Sequence, residues 1–92
     1  MPHVKFTKHL QQFFPDLKDG QVEGATVAEI VRRLDERYPG IAAYIVDERG
    51  RLRNHVNIFI DEAMIYDREG LQDAVTEANR VFIFQALSGG EF

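Results

Sequence analysis

The chain contains no cysteine. That single absence excludes disulfide bridges, a thiolate nucleophile, iron–sulfur ligation and the common structural zinc sites. Long apolar runs are also missing: no stretch approaches the ~20 residues needed to cross a bilayer as a helix, so no membrane association is expected. The opening MPHVKF has no basic segment followed by an apolar one, which argues against a secretory signal and makes a cytoplasmic location the default expectation. A basic excess is lacking as well. The net charge is −4, whereas nucleic acid is normally met by a basic face, so no nucleic-acid partner is expected. The arginines of VRRLDER and DERGRLR are interleaved with acidic residues and read as solvated faces. The three histidines, His3, His9 and His55, lie far apart, with neither H-x-x-x-H nor H-E-x-x-H spacing, and no bound metal is expected. Asp16, Asp19, Asp47 and Glu48 sit in polar turns, where such residues serve the backbone. The glycines at 20, 24, 40, 50 and 70 are scattered turn residues rather than a phosphate cradle.

What is present is the material of one small globule. The 92 residues, 45% of them hydrophobic and 28% charged, suit a single domain that buries roughly two-thirds of the surface of its unfolded chain. HVKFT (3–7) alternates, with Val4 and Phe6 on one face, and predicts a half-buried strand. A short strand is expected around QVEGA (21–25), after the Asp19-Gly20 turn signal. The intervening HLQQFFPDL is amphipathic but ambiguous, with Pro15 limiting any helix. TVAE at 26–29 is a capping box. In it the Thr26 hydroxyl accepts from the Glu29 amide, while the Glu29 carboxylate reaches back to the Thr26 amide. Val27, Ile30, Val31 and Leu34 follow at helical spacing, Tyr38 extends the stripe, and Pro39-Gly40 ends it.

IAAYIV (41–46) fits either a helical turn or an extended piece, and DERGRLRN (47–54) reads as a charged loop. HVNIFI (55–60) alternates again, with Val56, Ile58 and Ile60 opposite His55, Asn57 and Phe59. Asp61-Glu62 predicts a turn and AMIY (63–66) a short return strand. DREGLQDAVTEAN is a long polar connection with room for one helical turn. RVFIFQAL (80–87) is the last strand, apolar on both faces. Strands at both ends and in the middle, with one long helix after the second, predict an α+β domain with helices on one face of a single sheet.

If Val81 and Ile83 face that helix, Phe82 and Phe84 lie on the other side, where Phe59 has the same parity. Three aromatics on neighbouring strands make a contiguous patch of the kind that marks partner surfaces. The alternative is that the 67–79 connection, with Leu71 and Val75, folds over them. Beyond Leu87 the chain reads LSGGEF. Gly89 and Gly90 carry the largest entropy cost of ordering, which predicts a domain over 1–87 and a flexible tail over 88–92. A Gly-Gly segment can enter a channel too narrow for other residues, and from Leu87 to Gly90 it reaches about 13 Å when extended.

Three stretches, VKFTKHL, TVAEIVRRLDERYPGIAAYIVDERGRLRNHVNIFID and RVFIFQALSGG, resemble the ubiquitin-like sulfur carriers of the MoaD/ThiS family over nearly the whole chain, with MoaD-like length. The resemblance implies a β-grasp fold, a mixed sheet of four to five strands around one main helix. It implies a carrier rather than an enzyme. In that family an ATP-using adenylating enzyme of the ubiquitin-activating type activates the C-terminal glycine carboxylate. A sulfur donor then converts it to a thiocarboxylate, which a synthase uses as its sulfur source. ATP belongs to the partner, and the carrier binds no cofactor. Carried over by position, Gly90 is the reactive residue and Gly89 its channel-threading neighbour. Phe59 and Phe84 are implied contacts to the activating enzyme, with Phe82 and Leu87 extending that surface.

The sequence departs from the family at the point of chemistry, because Glu91 and Phe92 follow Gly90. The favoured expectation is a removable cap, cut between Gly90 and Glu91 by a zinc metalloprotease of the JAMM type. A non-carrier that keeps only the binding module is a second reading, and a Glu-Phe cloning scar encoded by GAATTC a third. A ubiquitin-like protein modifier remains an alternative function.

Overall fold

The alternating residues of HVKF and RVFIFQ become the two central strands of one sheet. The computed structural model describes residues 1–85. Residues 86 and 87 of the expected last strand, and the tail residues Gly89, Gly90 and Glu91, lie outside the described residues. The elements run β1 (His3–Phe6), α1 (Lys8–Phe13), β2 (Gly20–Gln21), α2 (Val27–Arg37), α3 (Ala42–Ile45), β3 (Val56–Ile60), β4 (Ala63–Met64) and β5 (Arg80–Gln85). The five-stranded sheet has the order β2-β1-β5-β3-β4. Among the described residues only the pair β1 and β5 is parallel; the other three pairings are antiparallel. This is the mixed sheet expected of a β-grasp, with α2 as the connection that returns the chain across one face.

The helix starts where its sequence says it should, with one change in the cap. The Thr26 hydroxyl accepts a hydrogen bond from the Glu29 amide at 3.2 Å. The Glu29 carboxylate, however, accepts from the amide of Ala25 at 2.9 Å, one residue before the expected partner Thr26. Thr26 is extended and bridged to Ala74, so the amide that faces the first turn is that of Ala25. Val27, Ile30, Val31 and Leu34 form the buried stripe of α2. They meet Val4 and Phe6 from β1, Val56 and Ile58 from β3, and Val81 and Ile83 from β5 in one core. Each such side chain contributes about 1.5–3 kcal/mol by leaving water. Gly40, at φ +98°, takes the left-handed turn that ends the α2 region.

Several expected elements are shorter than the sequence pattern. The 21–25 strand reduces to Gly20–Gln21, after which Val22 turns inward and its amide bonds the Pro2 carbonyl at 3.0 Å. The return strand is Ala63–Met64 alone. The two ambiguous stretches are both helical: HLQQF forms α1, ending two residues before Pro15, and AAYI forms α3. The 67–79 connection contains no helix, only a single turn of helical span, closed by the Leu71 amide donating to the Asp67 carbonyl at 3.0 Å. It packs on the α2 side of the sheet: Ala28 donates to the Leu71 carbonyl at 2.8 Å, Val27 to that of Asp73 at 3.1 Å, and Val75 to that of Ala25 at 2.9 Å. Leu71 and Val75 are buried in the main core. They do not cover the aromatic face, so the alternative of a lid over the three phenylalanines is overturned.

Candidate functional site: an aromatic sheet face beside the tail root

Strand register, rather than any single residue, builds the site. Lys5 pairs with Phe82, Phe82 with Phe59, and Phe59 with Met64, so these four side chains form one transverse row on the face opposite α2. Phe84 lies two residues along β5, paired with Asn57. The ring of Phe82 stands 6.5 Å from Phe59 and 6.0 Å from Phe84, the second pair edge-on. Phe84 is 36% exposed and Met64 51%. Phe82 is held between its two aromatic neighbours and is half-buried, as is Phe59. The arrangement can bury apolar surface against a partner without rearrangement, because its backbone is fixed by the central strand pairs.

The edge of this face is pinned by a loop with its own polar logic. Arg68 donates to the Asn57 side-chain oxygen at 2.9 Å and to the carbonyls of Arg53 and Val56 at 2.8 and 3.0 Å. It thereby occupies the side of β3 that β4 is too short to cover. Arg68 is placed by two aspartates. Asp73 accepts from the amides of Tyr66 and Asp67 at 3.0 and 2.8 Å. Asp67 in turn accepts from the amides of Glu69, Gly70 and Gln72. The Gly70 amide foremost, and then that of Gln72, hold the Asp67 carboxyl below its ordinary range. Asp47 does the same for the 47–52 turn, accepting from Arg49 and Arg51, and its carboxyl is likewise lowered, chiefly by the Arg51 amide.

At the far end of β5 the strand delivers the chain toward the Gly-Gly segment. Gln85 is the last described residue. Its amide donates to the Thr7 hydroxyl at 3.4 Å, and its side chain turns to the α2 side. There it lines a cleft of about 280 Å³ with Ala43, Tyr44, Arg53 and His55. Tyr44 stacks on Phe13 at 5.0 Å and meets Phe14 edge-on at 5.3 Å, while His9 packs against Phe13 at 5.5 Å. This second aromatic group was missed by sequence reasoning. Its only signals were the Phe13-Phe14 doublet ahead of Pro15 and the lone Tyr44 in IAAYIV.

Of the candidate residues, Phe59, Phe82 and Phe84 are thus brought together, and Leu87, Gly89, Gly90 and Glu91 lie outside the described residues. Among the described residues no group of three or more His, Asp or Glu side chains gathers as metal ligands do, and no helix is long and apolar enough to cross a membrane.

The family model of the ThiS family matches residues 4–90, from the first strand through the second glycine of the tail. The chain belongs to the ThiS family. Among its relatives is the sulfur carrier protein CysO of Mycobacterium tuberculosis, 28% identical over 75 residues that span 79% of this chain and 81% of the relative. Another is small archaeal modifier protein 3 of Haloferax volcanii, 26% identical over 68 residues, 74% of this chain and 73% of the relative. Of solved structures, a chain in the Amycolatopsis orientalis BexX/CysO complex superposes with a TM-score of 0.83 at 27% identity, covering 98% of this chain and all of that one (100%).

Proposed function

We propose that this chain is a sulfur carrier whose reactive group is the carboxylate of Gly90. The observation that carries the reading is the extent of the family match. It continues past the last described strand and stops at Gly90, so the Gly-Gly segment belongs to what the family shares. The relatives named sulfur carrier protein CysO support the same assignment. Where residues follow Gly90, a metalloprotease of the JAMM type adds water to the Gly90 carbonyl and releases the Glu91 amine. An adenylating partner of the ubiquitin-activating type then joins the freed carboxylate to the α-phosphate of ATP, and pyrophosphate leaves. Hydrosulfide from a donor attacks the acyl carbon, the carbon–oxygen bond to AMP breaks, and the terminal thiocarboxylate passes its sulfur to a synthase.

Each step suits these residues. A carboxylate becomes an electrophile only when its oxygen is made a leaving group, and a glycine carbonyl is the least hindered target. The body contributes docking rather than catalysis, through Phe59, Phe82, Phe84 and Leu87, with the open face supplying the apolar area. In the test, the full chain and a chain ending at Gly90 are incubated with the activating enzyme, ATP and sulfide. Intact mass should show one sulfur exchanged for oxygen on the shorter chain alone. Equal reaction of both would reject Gly90 as the acyl residue.

The relative named a small archaeal modifier protein favours a second reading, in which Gly90 forms isopeptide bonds to lysines. Blotting extracts of the producing cells for this protein distinguishes the two. A carrier gives a single band, and a modifier gives a ladder of heavier adducts.

A further inference from the structure

We propose that the tail root carries a second recognition surface, formed by Phe13, Tyr44, Arg53 and Gln85, that receives an acidic loop of the activating enzyme. The inference rests on the carrier reading and adds to it a contact on the opposite side of the strand from the phenylalanine face. Residues 86–90 can span at most about 17 Å when fully extended. An enzyme that draws Gly90 into a nucleotide site must therefore press the rim of its channel against whatever surrounds Gln85. On one side of β5 that is Phe84. On the other it is this cleft.

Its chemistry selects the occupant. The Arg53 side chain donates from Nε to the Ala43 carbonyl at 2.8 Å, its only hydrogen bond among the described residues. The guanidinium is thus held against α3 with both terminal amino groups free to take a carboxylate in the two-pronged geometry arginine favours. Gln85 is only 7% exposed, yet its Oε1 has no hydrogen-bond partner. A buried acceptor of this kind costs free energy, and because Gln85 lines the cleft a turn of its amide brings Oε1 to the backbone N–H of an incoming loop. Phe13, 49% exposed and stacked on Tyr44, supplies the apolar rim. Aromatic and arginine side chains in one partly desolvated cluster are the composition of binding hot spots.

The adjoining cleft of about 430 Å³ continues the positive character. Arg51, Arg53 and Arg68 line it with His55, opposed by Asp47 and Glu69. Asp47 is already engaged by its own turn amides and by Arg51 at 3.5 Å. The Arg68 amino groups are likewise spent on the β3 edge. Arg53 remains the charge available to a partner.

The test uses ATP–pyrophosphate exchange by the activating enzyme of the same organism, with the carrier ending at Gly90. Arg53→Gln and Tyr44→Ala should each raise the KM for carrier about tenfold with kcat unchanged, while Arg53→Lys recovers part of the loss. The wild-type KM should climb with salt and the Arg53→Gln KM should be nearly flat. Arg32→Gln, on the solvent side of α2, should change neither. If Arg53→Gln loses its folded amide spectrum, Phe13→Ala at the exposed rim of the same surface serves instead, and its KM should rise likewise. An active wild type whose KM is untouched by these changes overturns the second recognition surface and leaves the carrier reading standing. So does a fall in kcat alone. A wild type that supports no exchange removes both.

Discussion

Replacing Phe84 by alanine should weaken activation of the carrier while the domain still folds. The ring is 36% exposed on the open face. Of the roughly 200 Å² that a phenylalanine side chain can bury, about 70 Å² is then available to a partner. At ~25 cal/mol per Å² that area is worth about 1.8 kcal/mol, or close to a twentyfold rise in KM for the carrier. The rest of the ring, about 130 Å², is already buried in the free protein, so the same coefficient puts the cost to the fold at about 3 kcal/mol as an upper bound, with no closed cavity to add to it. The edge-on contact with Phe82 at 6.0 Å is part of that loss, and Tm should fall by about 10–20 °C. The assay is ATP–pyrophosphate exchange against carrier concentration, paired with thermal denaturation of the same preparation. An unchanged KM would show that the face is not the docking surface. Loss of the cooperative unfolding transition altogether would show that Phe84 belongs to the core, and the separation of face from core would fail.

The opposite behaviour is expected one residue earlier. Ile83, fully buried between α2 and the sheet, should cost about 2–5 kcal/mol as Ile83→Ala, read as a shift in the denaturant midpoint. Arg68→Met should cost about 1–3 kcal/mol, because the carbonyls of Arg53 and Val56 and the Asn57 side chain lose their donor together. Amide exchange should accelerate first at Val56 and Asn57. The Asp67 carboxyl is lowered from 3.8 by the Gly70 and Gln72 amides. Its contribution to stability is therefore full above about 3.8, the unfolded value, and fades as pH falls through the lower folded value. The Gly70 and Gln72 amide shifts should titrate with a midpoint below 3.8; a midpoint at or above it contradicts the hydrogen-bond account.

Local signals were legible wherever one residue's neighbours in sequence are also its neighbours in space. The Thr26 cap, the α2 stripe and the alternation of β1, β3 and β5 are of this kind, and so is the parity that puts Phe59, Phe82 and Phe84 on one side. Whether that side is open was a different question. It depends on which face of the sheet the 67–79 connection follows, and its buried Leu71 and Val75 fit either path by composition. Backbone bonds to Ala25, Val27 and Ala28 decide it, and no local pattern encodes them. The Tyr44 and Phe13 stack and the buried Gln85 side chain were unreadable for the same reason. They join α1, α3 and the end of β5 across long sequence separations. β2 and β4 shrank because Val22 and Ile65 are drawn into the core after two residues of pairing.

The most direct test of the account is the mass of the C-terminal peptide of this protein recovered from the cells that make it. The account predicts a peptide that ends at Gly90, with sulfur in place of one carboxylate oxygen while the pathway is running. A peptide that continues beyond Gly90 in cells delivering sulfur normally would contradict it.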